Sequence, residues 1–390
     1  MAWFHVDVWP SPKVLIVICL LRLAGCTTRQ AAANRQRLSF LSSLAMPSPS
    51  CNIAVVGLGH WGPNLARNFH RLSQATLHTL CDVDGYRLNR VGALYPDARL
   101  TSDFASLLAD PDVDAVVLAT PVHTHFKLAS AVLRSGKHVF VEKPLARSSE
   151  EARQLVELAD AQGLILMVGH VFLYNAAVRQ VKAYIDSGEL GDIYYIYAQR
   201  LNLGIVRQDV NALWNFAPHD ISIINYWLDG APVRVDAHGY AYLQSGIEDV
   251  VFLNLEYAGG QAAGVHVSWL DPNKVRRMTV VGSKKMVVYD DVSPDAKIRL
   301  YDKGVDRRPN GLGQYATFGE FQLLVRAGDL LIPKVNFTEP LRSECQAFVD
   351  AIRTGDPPLA DGRNGLAVVE VLEAADRAMS GTTDVTDDTD

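Results

Sequence analysis

The run Gly57-Leu58-Gly59-His60-Trp61-Gly62 has the G-x-G-x-x-G spacing of a loop that can cradle a pyrophosphate. Each glycine has its own task in such a loop. Gly57 permits a tight turn, Gly59 lets the backbone approach the phosphates, and Gly62 lets the following helix close on the preceding strand. His60 and Trp61 lie inside the loop and count with its cofactor contacts. Asp82 stands 20 residues past Gly62. A carboxylate there holds the two ribose hydroxyls of NAD and repels the 2′-phosphate of NADP, so NAD is the expected cofactor. Asp84, the other acid nearby, reads as the cap of the next helix. A glycine turn with an accidental acid would look the same in isolation, so the flanking elements must decide.

A second chemically dense stretch is 198–219. It holds Arg200, Asn202, Arg207, Asp209, Asn211, Trp214, Asn215 and His219. A sugar needs donors and acceptors for its hydroxyls and a flat face to stack on, and a diphosphate or carboxylate needs Arg. Arg200, Asn202, Arg207 and Trp214 are the substrate candidates, against the plainer reading of a solvated surface loop. His5, His70, His78, His238 and His266 read as structural or surface groups. His123 and His170, near the cleft loops, stay open. No metal triad is evident.

These groups need a scaffold, and the chain supplies one. Residues 53–56 are a short β-branched apolar run, and 64–72 carry Leu65, Phe69 and Leu72 on one helical face. Strands at 76–81, 113–119, 138–141 and 164–168 alternate with helices at 126–133 and 148–163, the last opened by a Ser148/Glu151 capping box. Strands alternating with helices, without hairpin signals, predict a doubly wound parallel sheet. Ligands of such sheets bind at the carboxyl ends of the strands, which marks the loops 57–62, 119–125 and 142–144.

After a helix at 176–185 the pattern changes. Period-two strands at 193–200, 233–242, 250–257, 261–269, 275–281, 286–289 and 298–301 are separated by turn signals such as Ala258-Gly259-Gly260. They predict a mostly antiparallel sheet, with closing helices at 339–353 and 365–379. The expected fold is therefore α/β. It combines an N-terminal Rossmann domain (51–171) with a C-terminal α+β domain (172–380) for substrate binding. One face of the open sheet is left to hide, which predicts a homodimer or homotetramer through it.

Composition agrees with an ordinary globular protein. Of 390 residues 48% are apolar and 21% charged, and the net charge is −6, which argues against a general nucleic-acid binder. The five cysteines are scattered, so neither a disulfide framework nor a zinc knuckle is expected. Residues 1–50 differ from the rest, with Lys13, Arg22, Arg29, Arg35 and Arg37 against Asp7 alone. Their apolar run 14–21 is too short to span a bilayer. Followed by Leu23-Ala24-Gly25-Cys26, it has the look of an export signal, yet Arg22 interrupts it and only Lys13 precedes it. A non-structural extension and a cytoplasmic enzyme are the favoured reading. Residues 381–390 read as an acidic solvated tail.

Residues 136–144, Gly-Lys-His-Val-Phe-Val-Glu-Lys-Pro, together with Ala119-Thr120-Pro121 and His125, make the chain resemble the Gfo/Idh/MocA oxidoreductases over about 52–380. The resemblance implies that Lys143 is catalytic, that Glu142 lies near the nicotinamide ribose, that Thr120, Pro121 and His125 belong to the cofactor loops, and that the Lys–Pro bond is cis. The family's second motif corresponds to Asn215-Phe216-Ala217-Pro218-His219, and Asn215 and His219 at i and i+4 share a helix face. Many members carry Asp at the first position. The amide here can orient an imidazole but cannot stabilise its charged form, a pattern nearest to the nucleotide-sugar 3-dehydrogenases.

The implied chemistry is hydride transfer between NAD and a hydroxyl or ketone carbon. His219 serves as general base, and Lys143 hydrogen-bonds the same oxygen. The reverse assignment, with Lys143 as base, stays open. A nucleotide-linked sugar is the first substrate class, a free sugar or inositol the second. A non-catalytic dinucleotide-binding regulator is the third reading.

Overall fold

The computed structural model describes residues 50–204, 206–305 and 325–381. The signal-like leader and the acidic tail lie outside the described residues. Six strands form the first sheet: β1 (Cys51–Val56), β2 (Ala75–Cys81), β3 (Arg99–Thr101), β4 (Ala115–Leu118), β5 (His138–Val141) and β6 (Leu166–Val168). All pair in parallel, in the order β3-β2-β1-β4-β5-β6. Helices on both faces bury the central strands, and Ile53, Ala54, Val55, Val116 and Val117 have no exposure. That is why these strands read as unbroken apolar runs rather than alternating ones. The order reverses between β1 and β4, and the crevice at that switch point is where such sheets bind ligands.

The helices of this half are α1 (Gly62–His70), α2 (Gly85–Gly92), α3 (Phe104–Leu108), α4 (His125–Arg134) and α5 (Ser149–Gln162). Asp84 caps α2 by accepting from the Tyr86 and Arg87 amides. Ser148 caps α5 by accepting from Glu151 N–H. The reciprocal half of the box is displaced by one residue: the Glu151 carboxylate takes the Arg147 amide at 3.2 Å.

The second sheet has eight strands in the order β14-β13-β12-β11-β7-β10-β9-β8. They are β7 (Ile193–Leu201), β8 (Arg234–Tyr240), β9 (Val250–Glu256), β10 (Ala262–Ser268), β11 (Val275–Gly282), β12 (Met286–Asp290), β13 (Ile298–Val305) and β14 (Val325–Leu331). Only β7 and β10 pair in parallel. Helices α6 (Ala176–Asp186), α7 (Ala212–Trp227) and α9 (Gly362–Ser380) pack against strands of this sheet, and α8 (Pro340–Thr354) packs on α1. Strand alternation sorts the side chains. Ile196, Ala198, Val251 and Leu253 are buried, while Tyr195, Tyr197, Tyr240 and Phe252 are exposed.

The expected doubly wound sheet plus open, mostly antiparallel sheet is thus the observed architecture. Three elements were not foreseen. β3 and α3 are too short to show a period, and β14 is an edge strand broken in pattern by Gly328 and Asp329. Among the described residues no helix is long and apolar enough to cross a membrane.

Candidate active site

The glycine loop leaves β1 and enters α1. Gly57 has φ +89°, and a Cβ there would lie 2.7 Å from Ala119 O. A Cβ at Gly62 would lie 1.9 Å from Gly57 O. Both positions are therefore closed to any side chain. A Cβ at Gly59 would meet nothing nearer than Arg87 Nη1 at 3.8 Å, which leaves that backbone open to a ligand. Together with the N-terminus of α1, this fits a dinucleotide pyrophosphate. His60 and Trp61 are exposed on the loop, with their rings edge to face.

Asp82 follows β2 and stiffens the loop. Its Oδ2 accepts from Leu58 N–H at 2.6 Å, and its Oδ1 accepts from Asp84 N–H at 2.8 Å. Each carboxylate oxygen keeps a further lone pair, so ribose hydroxyls can still be held. Arg87, which the sequence reading did not single out, pairs with Asp84 at 3.2 Å and sets a cation beside Gly59. Its only sequence signal is the i+3 spacing from the capping acid.

Lys143 follows β5, and the Lys143–Pro144 bond is cis. Lys143 Nζ donates to the backbone carbonyl of Asn215 at 2.8 Å, which links the loop after β5 to α7. Burial lowers the Lys143 ammonium to about 8, and the Arg200, Arg207 and Arg276 charges push the same way. Burial raises its neighbour Glu142 to about 7, against the attraction of Lys143. Gly169, just after β6, makes room for that carboxylate. A Cβ there would stand 2.9 Å from Glu142 Oε2.

His125, expected among the cofactor contacts, turns both ring nitrogens to backbone carbonyls instead. It is buried, with Nδ1 at 2.9 Å from Pro144 O and Nε2 at 2.8 Å from Thr120 O. With both nitrogens engaged, it ties the 119–125 loop to the Lys143–Pro144 loop and acts by positioning them. Thr120 closes its own loop through Thr124 Oγ1 at 2.7 Å, and Pro121 is exposed beside it.

Helix α7 carries the second motif. Asn211 caps it by accepting from Trp214 N–H, and Pro218 sits inside it. Proline lacks the N–H that would bond the carbonyl four residues back and crowds that carbonyl, loosening the turn around Trp214 and Asn215. The Asn215 carbonyl there receives Lys143. The expected amide–imidazole contact is not formed: among the described residues no side-chain hydrogen bond joins Asn215 to His219, and His219 Nδ1 has no partner. The part assigned to Asn215 is corrected accordingly, from orienting His219 to holding Lys143 through its backbone.

His219 is half-buried, edge-on to Phe172 at 4.9 Å between ring centroids. Its Nδ1 is buried without a partner. Burial holds the imidazole well below its ordinary value, and Lys143, Arg200, His170 and Arg276 lower it further. A neutral imidazole in a positive surround suits a base that generates an alkoxide.

The substrate candidates divide. Arg200 is not free for a ligand. It is buried, bidentate on Asp220 at 2.8 and 2.9 Å, and stacked 4.8 Å from the Phe172 ring centroid. It backs the Phe172 ring that packs on His219. Arg207 is bidentate on Asp209 in an exposed loop, a pair weak enough to exchange for an anion. Asn202 is half-buried. Trp214 donates from Nε1 to Asp376 at 2.6 Å and lines a cavity of about 590 Å³ with His123, Arg147, Asp209 and Asn211.

Two further buried groups stand here, one that the sequence left open and one that it did not reveal. His170, left open there, follows β6 and bonds Asn364 Oδ1 through Nδ1 at 2.6 Å. Glu344 on α8 has no exposure, and neither of its oxygens has a hydrogen-bond partner. Burial and the Glu142 charge hold its carboxyl well above the usual range. An acid raised on folding costs stability as pH climbs from its unfolded value toward its folded one. Glu344→Gln removes that cost. Thermal melts should therefore show a gain over the parent that is small near pH 5 and grows by pH 8. A constant difference would mean that folding does not raise the Glu344 carboxyl.

The comparisons with known proteins agree with this geometry. The profile of an oxidoreductase family with an NAD-binding Rossmann fold, GFO_IDH_MocA, matches residues 51–170, and that of its C-terminal domain matches 178–288. The chain is 24% identical over 343 residues to myo-inositol 2-dehydrogenase of Thermotoga maritima, covering 84% of this chain and 96% of that protein. It is 26% identical over 318 residues to UDP-N-acetylglucosamine 3-dehydrogenase of Acidithiobacillus ferrooxidans, covering 81% and 93%. The crystal structure of GenD2 from gentamicin A biosynthesis, in complex with NAD, superposes with a TM-score of 0.71 at 24% identity over 86% of this chain and 96% of that one. An NAD-binding parallel sheet followed by this second sheet, matched by both profiles, makes the chain a member of the Gfo/Idh/MocA family of oxidoreductases.

Proposed function

We propose that this oxidoreductase is an NAD-dependent dehydrogenase of a nucleotide-linked sugar, acting on a CH–OH carbon. One observation carries the reading. Lys143 reaches across from the first sheet to the carbonyl of Asn215, one helical turn before His219, so an ammonium and an imidazole serve one cleft. NAD, held by the 57–62 loop and Asp82, supplies the hydride acceptor. His219 takes the hydroxyl proton. Lys143 donates a hydrogen bond to the same oxygen and stabilises its developing charge.

The substrate class rests on size and charge. A cavity of about 590 Å³ falls within the ~300–1,000 Å³ range of sites for drug-sized ligands. Arg147 and His123 on its wall, with the exchangeable Arg207 nearby, suit a diphosphate. A free cyclitol is the second reading, favoured by the comparable likeness to an inositol dehydrogenase. Incubation with NAD and a panel of UDP-hexoses, UDP-hexuronates, inositols and free hexoses, followed at 340 nm, tests both. Turnover confined to the inositols would replace the first reading with the second. No turnover on any compound would remove both.

The exposed face of the second sheet would join copies of the chain into a homodimer or homotetramer. Tyr195, Tyr197, Tyr240 and Phe252 give that face a continuous aromatic character. Tyr197→Glu should break the oligomer down in analytical ultracentrifugation. An unchanged sedimentation coefficient would place the interface elsewhere.

A further inference from the structure

The base His219 lacks the acid that would fix its tautomer, because the motif has Asn215 and that amide makes no bond to it. A neutral imidazole can accept a proton at Nε2 only if Nδ1 carries the hydrogen, and an Nδ1–H in a buried place needs an acceptor. His219 Nδ1 is buried and unpartnered, whereas Nε2 is not among the buried atoms without a partner.

A matching group lies close by. His170 donates from Nδ1 to Asn364 Oδ1 at 2.6 Å, which leaves a lone pair on Nε2. That Nε2 is also buried without a partner. Phe172, two residues after His170, packs edge-on against the His219 ring, and helix α7 lies on the turn Val171–Tyr174. One ring lacks an acceptor and its neighbour lacks a donor. Two complementary orphans in one buried cluster are what a hydrogen bond, or a single buried water between them, would satisfy together.

We propose that His170 is a positioning residue for His219: its Nε2 accepts, through one buried water, the hydrogen bond of His219 Nδ1–H, in a chain Asn364–His170–water–His219. The chain does for a neutral imidazole what a carboxylate does elsewhere, but without adding negative charge to the site. Burial, which lowers His170 to about 4, keeps it the neutral acceptor that this part requires. The inference rests on His219 as the base of the proposed reaction, but its test needs no substrate.

The test is histidine-selective ¹⁵N labelling of the full chain, with two-bond ¹H–¹⁵N spectra recorded with and without NAD. The His219 signals are assigned by their loss in His219→Ala. The expected result is the Nδ1–H tautomer at both His170 and His219. His170→Phe should move His219 to the Nε2–H or a mixed tautomer, and His170→Gln, which keeps an acceptor oxygen, should restore it. Asn364→Leu, which leaves His170 in place, should loosen both tautomers and serves if His170→Phe misfolds. An Nε2–H tautomer at His219 in the parent would overturn the proposal. So would an unchanged His219 signal in His170→Phe, including the case in which NAD affinity alone falls. If the tautomers behave as expected but no sugar is turned over, the positioning stands and the enzymatic reading fails.

Discussion

Lys143→Met and His219→Ala should each lower turnover by about 10²–10⁴-fold, the usual contribution of a positioned proton-transfer group. NAD binding should stay near the parent value, because neither side chain lies in the 57–62 loop or beside Asp82. The two losses differ in kind. Without His219 the hydroxyl proton has no acceptor. Without Lys143 the developing alkoxide loses its donor, and α7 loses its tie to the loop after β5. The pH profile carries the sign. His219 is held well below the ordinary imidazole value, so the base stays unprotonated through neutrality. The acid limb of kcat/KM for oxidation should therefore fall below the usual imidazole range. Stopped-flow traces of NADH formation together with NAD titrations measure both parts. Near-parent turnover in both variants would end the assignment.

Asp220→Asn should destabilise the protein by about 3–5 kcal/mol, the cost of leaving one partner of a buried ion pair uncompensated. The Arg200–Asp220 pair has side-chain exposures of 7% and 2%, and both bonds are short. The amide keeps the shape but leaves the Arg200 cation unneutralised. That cation already lowers Lys143 and His219, and freed of its counter-charge it would lower both further. The loss should appear as a shift in the urea midpoint at unchanged slope. A shift smaller than about 1 kcal/mol would mean that water reaches the pair.

The first sheet was legible because its strands are short apolar runs punctuated by glycines, and the glycine loop carried its own steric logic. Gly57 and Gly62 are closed by neighbouring backbone and Gly59 is open, as the spacing implied. The second sheet was legible from period-two alternation, with strand ends off by one or two residues except at β13, which runs four residues past the expected 301. Side-chain partnerships were not legible. Nothing local tells that Arg200 meets Asp220, 20 residues on, or that His125 bonds two carbonyls. Such bonds depend on tertiary distance. For the same reason the part of His170 stayed open and Glu344 went unremarked: the meaning of each lies in what surrounds it in the fold.

Helix α9, the last described element, reaches back to the first sheet. Asn364 holds His170, and Glu373 accepts from Ser149. Gly365 lies where a Cβ would strike Val168 and Leu145, and Asp376 anchors Trp214. On a ribosome, residues 51–171 emerge some two hundred residues ahead of the segment that seals them. The nucleotide-binding half therefore waits with part of its core uncovered until synthesis is nearly finished. A stop codon shortly before residue 361 would remove only the end of the chain, yet it would unroof the cofactor lobe at the opposite end of the sequence.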